Sequence, residues 1–524
     1  MTKAPLRPSL FRAAGTVAVA LVIGQLTGLV SRILVARAFG TSPDLDAFYA
    51  ANRVAETLFL IVGGGALGSS FIPTFTAFLV KGDEDSAWRL ASGAATLLTL
   101  TLSMLAALAA WFAPQIVRYA LAPGLFHNFH LNHLTIQLVR IQLLTAVLFG
   151  LGGLTVGILN AKHIFLTPAL MPAVYQLGWI FGILILSPAL GIYGLAWGVV
   201  LGSALYLLLQ LPALMKLGGR YTFSLGLKNP AVREVMRLMG PRLFGVAIVQ
   251  LNFWVNIWLA SQMAAGSVSA ITYGFMLMVM AQAVIAQSTA TAAMPTLSAQ
   301  YALGQFDEIR QTLAGTLRGV LLLAFPAMFG LILLSQPLVA MLFQRGSFTA
   351  ASTAMVAWAL IWYASGLLGH AVLEILARAF YAFHDTKTPV LVGAGAMALN
   401  VLFSFFFANL FTRQGWMPHG GLALANSLAT LLEALILLAL MNRRLPGGLP
   451  RREIFSAFTQ AALAVFAMSL ALLAWRALSA AFSPWFSGLG GVALGGLVYT
   501  LALFAQKTPE LRQLARRLWA LRQP

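Results

Sequence analysis

From Val17 to Phe504 the chain repeats one pattern fourteen times, a stretch of about 20 apolar residues followed by a short polar connection. A helix rises 1.5 Å per residue, so each stretch can cross the ~30 Å hydrocarbon core of a bilayer with its backbone N–H and C=O groups satisfied internally. The expected fold class is an all-α polytopic membrane protein with about 14 transmembrane helices. Composition agrees: 60% of the 524 residues are hydrophobic and 9% are charged, too little polar surface for a soluble chain of this length.

The formal charge of +19 could suggest nucleic acid, but such a surface gathers its basic residues on one solvated face. Here they fall between spans. Lys3, Arg7 and Arg12 precede the first span, Lys216, Arg220, Lys228, Arg233 and Arg237 fill one connection, and Arg443, Arg444, Arg451 and Arg452 fill a later one. Lys507, Arg512, Arg516, Arg517 and Arg522 lie beyond the last span, whereas the connections at 41–46, 187–191 and 264–267 carry no Lys or Arg. The positive-inside rule then places both termini in the cytoplasm, which an even number of spans permits. The first apolar run, Ala13 to Val35, lacks a small-residue cleavage site and reads as a permanent helix. Zero cysteines exclude disulfides and thiolate metal sites.

An internal repeat organises the chain. Phe71-Ile72-Pro73-Thr74, Gly82 and Asp85 recur, at an offset of 222 residues, as Ala293-Met294-Pro295-Thr296, Gly304 and Asp307. Asn160 to Thr167-Pro168 matches Tyr381 to Thr388-Pro389, and Gly194-Leu195-Ala196 resembles Gly421-Leu422-Ala423. Six spans per copy make the repeat parallel, so two six-helix lobes are expected to enclose a central cavity. The expected domains are an N-lobe at 1–218, a cytoplasmic linker at 219–235, a C-lobe at 236–445, and two further helices with a basic tail at 446–524.

Catalytic signatures are missing. No P-loop, HExxH or GxSxG occurs, Gly63-Gly64-Gly65 lies mid-span with no following Lys, and seven scattered histidines have few carboxylates near them. No enzyme activity, cofactor or metal is expected. What remains is a set of ionisable residues within or beside the spans, each costing ~2.5–3.5 kcal/mol at a helix centre and so demanding a reason. These are Arg32, Arg37, Arg53, Glu56 and Arg140 in the first half, and Arg242, Arg318, Glu374, Arg378 and Glu433 in the second. The excess of cations suits a cavity for an anionic head group such as a phosphate or pyrophosphate. Arg37, Arg318 and Arg378 lie near span ends, where snorkelling to the interface is the competing explanation. Arg53 and Glu56, three residues apart, can also simply neutralise each other. Arg32, Arg53 and Arg242 are the principal cavity candidates.

Several strings resemble the MurJ (MviN) family of lipid II flippases, within the multidrug/oligosaccharidyl-lipid/polysaccharide (MOP) exporter superfamily. They are Ala36-Arg37-Ala38-Phe39-Gly40 with Asp46-Ala47-Phe48, Phe71-Ile72-Pro73, Met239-Gly240-Pro241, Gly266-Ser267-Val268-Ser269 with Tyr273, and Pro295-Thr296-Leu297-Ser298. The most specific are Leu342-Phe343-Gln344-Arg345-Gly346-Ser347-Phe348-Thr349 and Phe380-Tyr381 with Asp385-Thr386-Lys387-Thr388-Pro389. The resemblance implies fourteen helices, a groove beside the last two for a polyprenyl tail, and translocation of a lipid-linked peptidoglycan precursor to the outer leaflet of the bacterial inner membrane by alternating access. The substrate-binding set expected on this basis is Arg32, Arg53, Arg242, Glu56, Gln25, Asp46 and Arg378.

Departures accompany the matches. The family's usual arginines are replaced by Gln25, Ser31 and Phe59, its second-helix Glu by Gly64, and its eighth-helix Asp-Arg pair by Phe275-Met276. An ion-coupled exporter of another lipid-linked saccharide or a small amphipathic solute therefore stays open as an alternative, as does a non-transporting scaffold. Expected partners are the lipid-linked precursor and membrane lipids, with Na+ or the membrane potential as the drive, and no nucleic acid. Asn256, Asn400 and Ser404 are the neutral oxygens available for a sodium ion.

Overall fold

The computed structural model describes residues 8–226 and 229–508, without the side chains of 8–16, 18, 63–70, 238–242 and 244. Helices are the regular secondary structure of the described residues, with no strand among them. The chain forms two compact units, Met1–Ala265 with Arg345–Ser347, and Gly266–Gln344 with Phe348–Pro524.

The first unit holds α1 (Pro8–Phe39), α2 (Pro43–Phe59), α3 (Gly65–Val80), α4 (Glu84–Trp111), α5 (Phe129–Ala161), α6 (Leu166–Phe181), α7 (Ile192–Leu208) and α8 (Pro230–Ser261). Local chemistry sets where α2 begins: Ser42 Oγ accepts from the Leu45 N–H, Pro43 takes the first turn, and Asp44 and Asp46 meet the positive end of the helix dipole. A π-turn, Leu60–Gly64, joins α2 to α3. Phe71 and Phe75 of α3, Leu90 and Leu98 of α4, Leu154 and Ile158 of α5, and Val232 and Val235 of α8 form one buried core. Where α6 meets α7 the backbones nearly touch. A Cβ on Gly178 would stand 2.2 Å from the Gly202 Cα, and one on Gly182 would stand 2.6 Å from the Gly198 Cα. In lipid, where apolar side chains gain little by leaving the solvent, such close backbone packing is what holds helices together.

The second unit holds α9 (Ser267–Gln282), α10 (Ser288–Ala302), α11 (Phe306–Leu333), α12 (Ser335–Phe343), α13 (Ala350–Ala364), α14 (Leu367–Ala382), α15 (Lys387–Arg413), α16 (His419–Arg444), α17 (Arg451–Ser479) and α18 (Pro484–Ala505). The α17–α18 hairpin docks on α11 through Ala461, Val465, Met468 and Leu472 against Leu321, Leu322 and Phe325. Its Tyr499 hydroxyl donates to the Leu322 carbonyl at 2.7 Å. That acceptor is available because Pro326, four residues on within α11, has no N–H to give it.

The repeat expected from sequence reappears as local geometry. The π-turn Leu60–Gly64 has a counterpart at Ala283–Gln287, each followed by a helix carrying an internal proline, Pro73 or Pro295. Gly82 and Gly304 both close the next turn with positive φ, 73° and 69°. Glu84–Trp111 and Phe306–Leu333 then run for 28 residues each. Even the left-handed histidines recur, His163 at 60° and His384 at 59°.

Two features bear on the expected span count and lobes. Among the described residues eleven rods are long and apolar enough to cross a membrane, or twelve if α13 and α14, bent by 47°, form one span. The second and seventh of the fourteen expected crossings contribute only the shorter apolar pieces Phe71–Val80 and Gly245–Ser261. Each piece begins directly after residues whose side chains are not described, 63–70 in one and 238–242 with 244 in the other, so these two crossings lie partly outside the described residues. The compact units divide at Ala265/Gly266, one helix later than the lobe boundary read from the duplication, because α8 packs on α3 and α2. Duplication boundary and packing boundary are different quantities, and the lobes at 1–218 and 236–445 are the expectation drawn from the former.

Candidate functional site

Arg53 and Glu56 lie on one face of α2, just before the π-turn. The Arg53 guanidinium meets Glu56 at 3.0 Å and stacks over the Phe253 ring of α8, 4.5 Å from its centroid. Its Nε is buried with no hydrogen-bond partner. One turn on, the Thr57 hydroxyl donates to the Arg53 carbonyl at 2.7 Å and receives the Trp254 indole N–H at 2.8 Å. Gln250 Oε1 lies 3.4 Å from the same hydroxyl. Two aromatic rings and a glutamine of α8 therefore fix the α2 turn that aims Arg53.

Arg32, on α1, places its guanidinium over the Trp179 ring of α6 at 4.3 Å. Tyr175, one turn before Trp179, is within electrostatic reach of both Arg32 and Glu56. Among the sequence-predicted residues the structure thus brings Arg32, Arg53 and Glu56 into one neighbourhood. Charge counting missed its other members, Tyr175, Trp179, Gln250, Phe253 and Trp254. The available signal was the density of aromatic and amide side chains in the fifth and seventh spans, where lipid alone would favour aliphatic ones.

The remaining candidates stand elsewhere. Gln25 is exposed on α1, two turns before Arg32. Asp46 is 3% exposed in the first turn of α2, with its N–H on the Ser42 carbonyl, about 10 Å along the helix from Arg53. Arg242 falls on α8, but its side chain lies outside the described residues. Arg378 belongs to the second unit, paired with Glu374 at 2.9 Å and donating to the Gln287 carbonyl, also at 2.9 Å, where the π-turn of that unit ends. Tyr381 is within electrostatic reach of Glu374, Glu433 and Arg378. Arg318 meets Glu453 of α17 at 3.2 Å, and Arg140 Nε donates to the Ala110 carbonyl at 3.2 Å.

At Ser31 a buried hydroxyl stands where the family's arginine is usual. The side chain is fully buried between α1 and α6, with the hydroxyl 2.8 Å from the Gly28 carbonyl and 2.7 Å from Gln176 Oε1.

The second unit also contains a cavity of about 520 Å³ lined by Leu317 and Leu321 of α11, Leu368 and Val372 of α14, Leu435 and Leu438 of α16, and Ile454, Phe455 and Phe458 of α17. Asn442 and Arg451 also line it, and Arg451 begins α17. An apolar trough of this kind, with a cation at the helix end, suits a hydrocarbon chain whose head group is anionic.

Two family strings acquire physical meaning. Asp385 accepts from the Thr388 N–H at 3.0 Å and its hydroxyl at 2.8 Å, and pairs with Arg444, which ties α15 to the end of α16. Gly346, at φ 60°, lets the Ser347 N–H reach the Arg37 carbonyl at 2.9 Å, and a Cβ there would stand 2.5 Å from that oxygen.

Comparison with known proteins is consistent along nearly the whole chain. The family model described as "Lipid II flippase MurJ" matches residues 35–492. A curated "Lipid II flippase MurJ" from Burkholderia cenocepacia is 33% identical over 442 residues, 83% of this chain and 84% of that protein. A "Probable lipid II flippase MurJ" from Vibrio cholerae is 31% identical over 431 residues, 79% and 80% of the two chains. Among solved structures, a lipid II flippase MurJ in an inward closed conformation superposes with a TM-score of 0.79 at 23% identity, covering 93% of this chain and 97% of that one. An inward-facing multidrug resistance transporter of the MATE family, in the MOP superfamily, gives 0.67 at 15% identity over 80% and 94%. These two structures establish the fold.

Proposed function

Because the chain belongs to the lipid II flippase MurJ family, we propose that it carries lipid II, a polyprenyl-pyrophosphate-linked peptidoglycan precursor, from the inner to the outer leaflet by alternating access. The observation that carries this reading onto particular residues is Arg53. It is held between the Glu56 carboxylate and the Phe253 ring, with a buried Nε that no protein atom satisfies. A guanidinium so oriented presents its fork to a pyrophosphate oxygen at the cost of little further ordering. Arg32 over Trp179 supplies a second cation, and exchange of Arg53 between Glu56 and the substrate lets the head group bind without leaving a bare buried charge.

The trough beside α17 takes the polyprenyl tail in this reading, and Arg451 marks its cytoplasmic end. Both termini are cytoplasmic and the membrane is the bacterial inner membrane. Arg242, Gln25, Asp46 and Arg378 remain candidates for contacts with the remainder of the head group. The drive is the membrane potential, worth ~2.3 kcal/mol per charge per 100 mV, or a Na+ gradient. Export of a small amphipathic solute is not favoured, since the relatives named above are lipid II flippases and the trough is sized for a chain. The test is whether the protein exposes lipid II at the outer leaflet of cells depleted of their own flippase.

A further inference from the structure

The far end of α17 carries a second cavity, of about 410 Å³, whose lining differs in kind from that of the trough. Gln336, Gln344, Thr353, Arg476, Ser479 and Ser487 contribute polar atoms to it, and none of its lining residues is Asp or Glu. Arg476, in the last turn of α17, is exposed and has no ion-pair partner among the described residues. The wall behind it is internally bonded. Thr353 donates to Gln344 Oε1 at 3.1 Å, Ser487 Oγ to the Ser479 carbonyl at 2.9 Å, and Trp475 Nε1 to the Ser487 carbonyl at 2.9 Å. Those bonds occupy acceptors, so the guanidinium of Arg476 and the NH2 group of Gln344 remain as donors. A cavity with surplus donors, one cation and no carboxylate selects an anion, and the planar arginine fork favours phosphate.

Depth in the membrane identifies the kind of phosphate. Phe482, Trp485 and Phe486 beside the cavity are 59%, 50% and 49% exposed, and Phe486 packs at a tilt against both Trp475 and Phe482. An exposed aromatic cluster of this sort sits at the membrane–water interface, at the level of lipid head groups. Arg451 at the trough and Arg476 at this cavity are separated by about 37 Å along one helix at 1.5 Å per residue, comparable with the ~30 Å hydrocarbon core plus an interface. The two cavities therefore serve opposite leaflets. The smaller one accommodates a phosphate and a small alcohol, and a disaccharide bearing a pentapeptide exceeds it.

We propose that this cavity is a binding site for the phosphate of a lipid head group in the leaflet opposite the trough. The inference depends on α17 spanning the membrane and is independent of which lipid is translocated. Two sources share the chemistry, an anionic phospholipid of that leaflet and a polyprenyl phosphate. Native mass spectrometry of the full chain, titrated separately with phosphatidylglycerol and with polyprenyl phosphate, tests it.

Arg476→Gln should raise the lipid concentration for half occupancy about tenfold, the loss of one charge-assisted contact. Arg476→Lys should retain part of the affinity, and Gln344→Ala, on a separate segment, should move it in the same direction if Arg476→Gln fails to insert. Loss confined to phosphatidylglycerol assigns a resident phospholipid, and loss confined to polyprenyl phosphate assigns a carrier lipid already freed of its saccharide. Unchanged occupancy for both lipids in a folded Arg476→Gln protein overturns the proposal, whatever the wild-type chain does with lipid II.

Discussion

A guanidinium has five N–H donors, and in Arg53 one nitrogen meets Glu56 while the buried Nε meets nothing. Arg53→Ala is expected to abolish lipid II translocation at normal membrane insertion, and Arg53→Lys to retain a fraction of it, because charge survives without the fork. Normal translocation by a well-inserted Arg53→Ala protein would show that the residue only neutralises Glu56. At Asp385, outside the spans, partial burial raises the carboxyl pKa, but the Thr388 N–H and hydroxyl together with Arg444 overcome this and hold it below the ordinary value. A depressed folded pKa means the contribution is present above the unfolded value of ~3.9 and is lost as pH falls through the folded value. Protection of the α14–α15 turn from hydrogen exchange, taken relative to the intrinsic rate at each pH, should therefore fall in wild type as pH drops below about 4. In Asp385→Asn that protection should already be lower at neutral pH and change little on acidification.

Between elements, the contact most open to test is the one that fastens the α17–α18 hairpin. Tyr499→Phe removes the bond to the Leu322 carbonyl and should cost about 1 kcal/mol. In a Pro326→Ala background the restored N–H at 326 can satisfy that carbonyl, so the same substitution should cost much less. Equal costs in a thermal-unfolding double-mutant cycle would mean that the tyrosine acts through packing alone. This pairing was hidden in the sequence, because nothing local links Pro326 to a tyrosine 173 residues away. The elements themselves were legible, since span length, the 222-residue offset and the Pro-Thr, Gly and Asp spacing are local properties. The candidate site was legible in part. Charges in apolar spans pointed to Arg32, Arg53 and Glu56, whereas Phe253, Trp254 and Trp179 could not be told from ordinary core aromatics until α2, α6 and α8 were placed beside them.

For the molecule as a whole, the distribution of Lys and Arg sets an orientation that labelling can check. Single cysteines, clean reporters in a chain with none of its own, should react from outside at Thr41 and Gln262, and at Lys81 and Arg452 only after permeabilisation. The reverse pattern would overturn the orientation and, with it, the direction of transport. The central claim is that this chain delivers lipid II to the outer leaflet. Its most direct measurement is the fraction of lipid II cleaved by an externally added pyrophosphate-cleaving enzyme, in cells depleted of their own flippase and expressing this chain. Cleavage restored by the wild type and lost with Arg53→Ala is the predicted result. Lipid II that stays protected while the wild-type chain is fully inserted would contradict it.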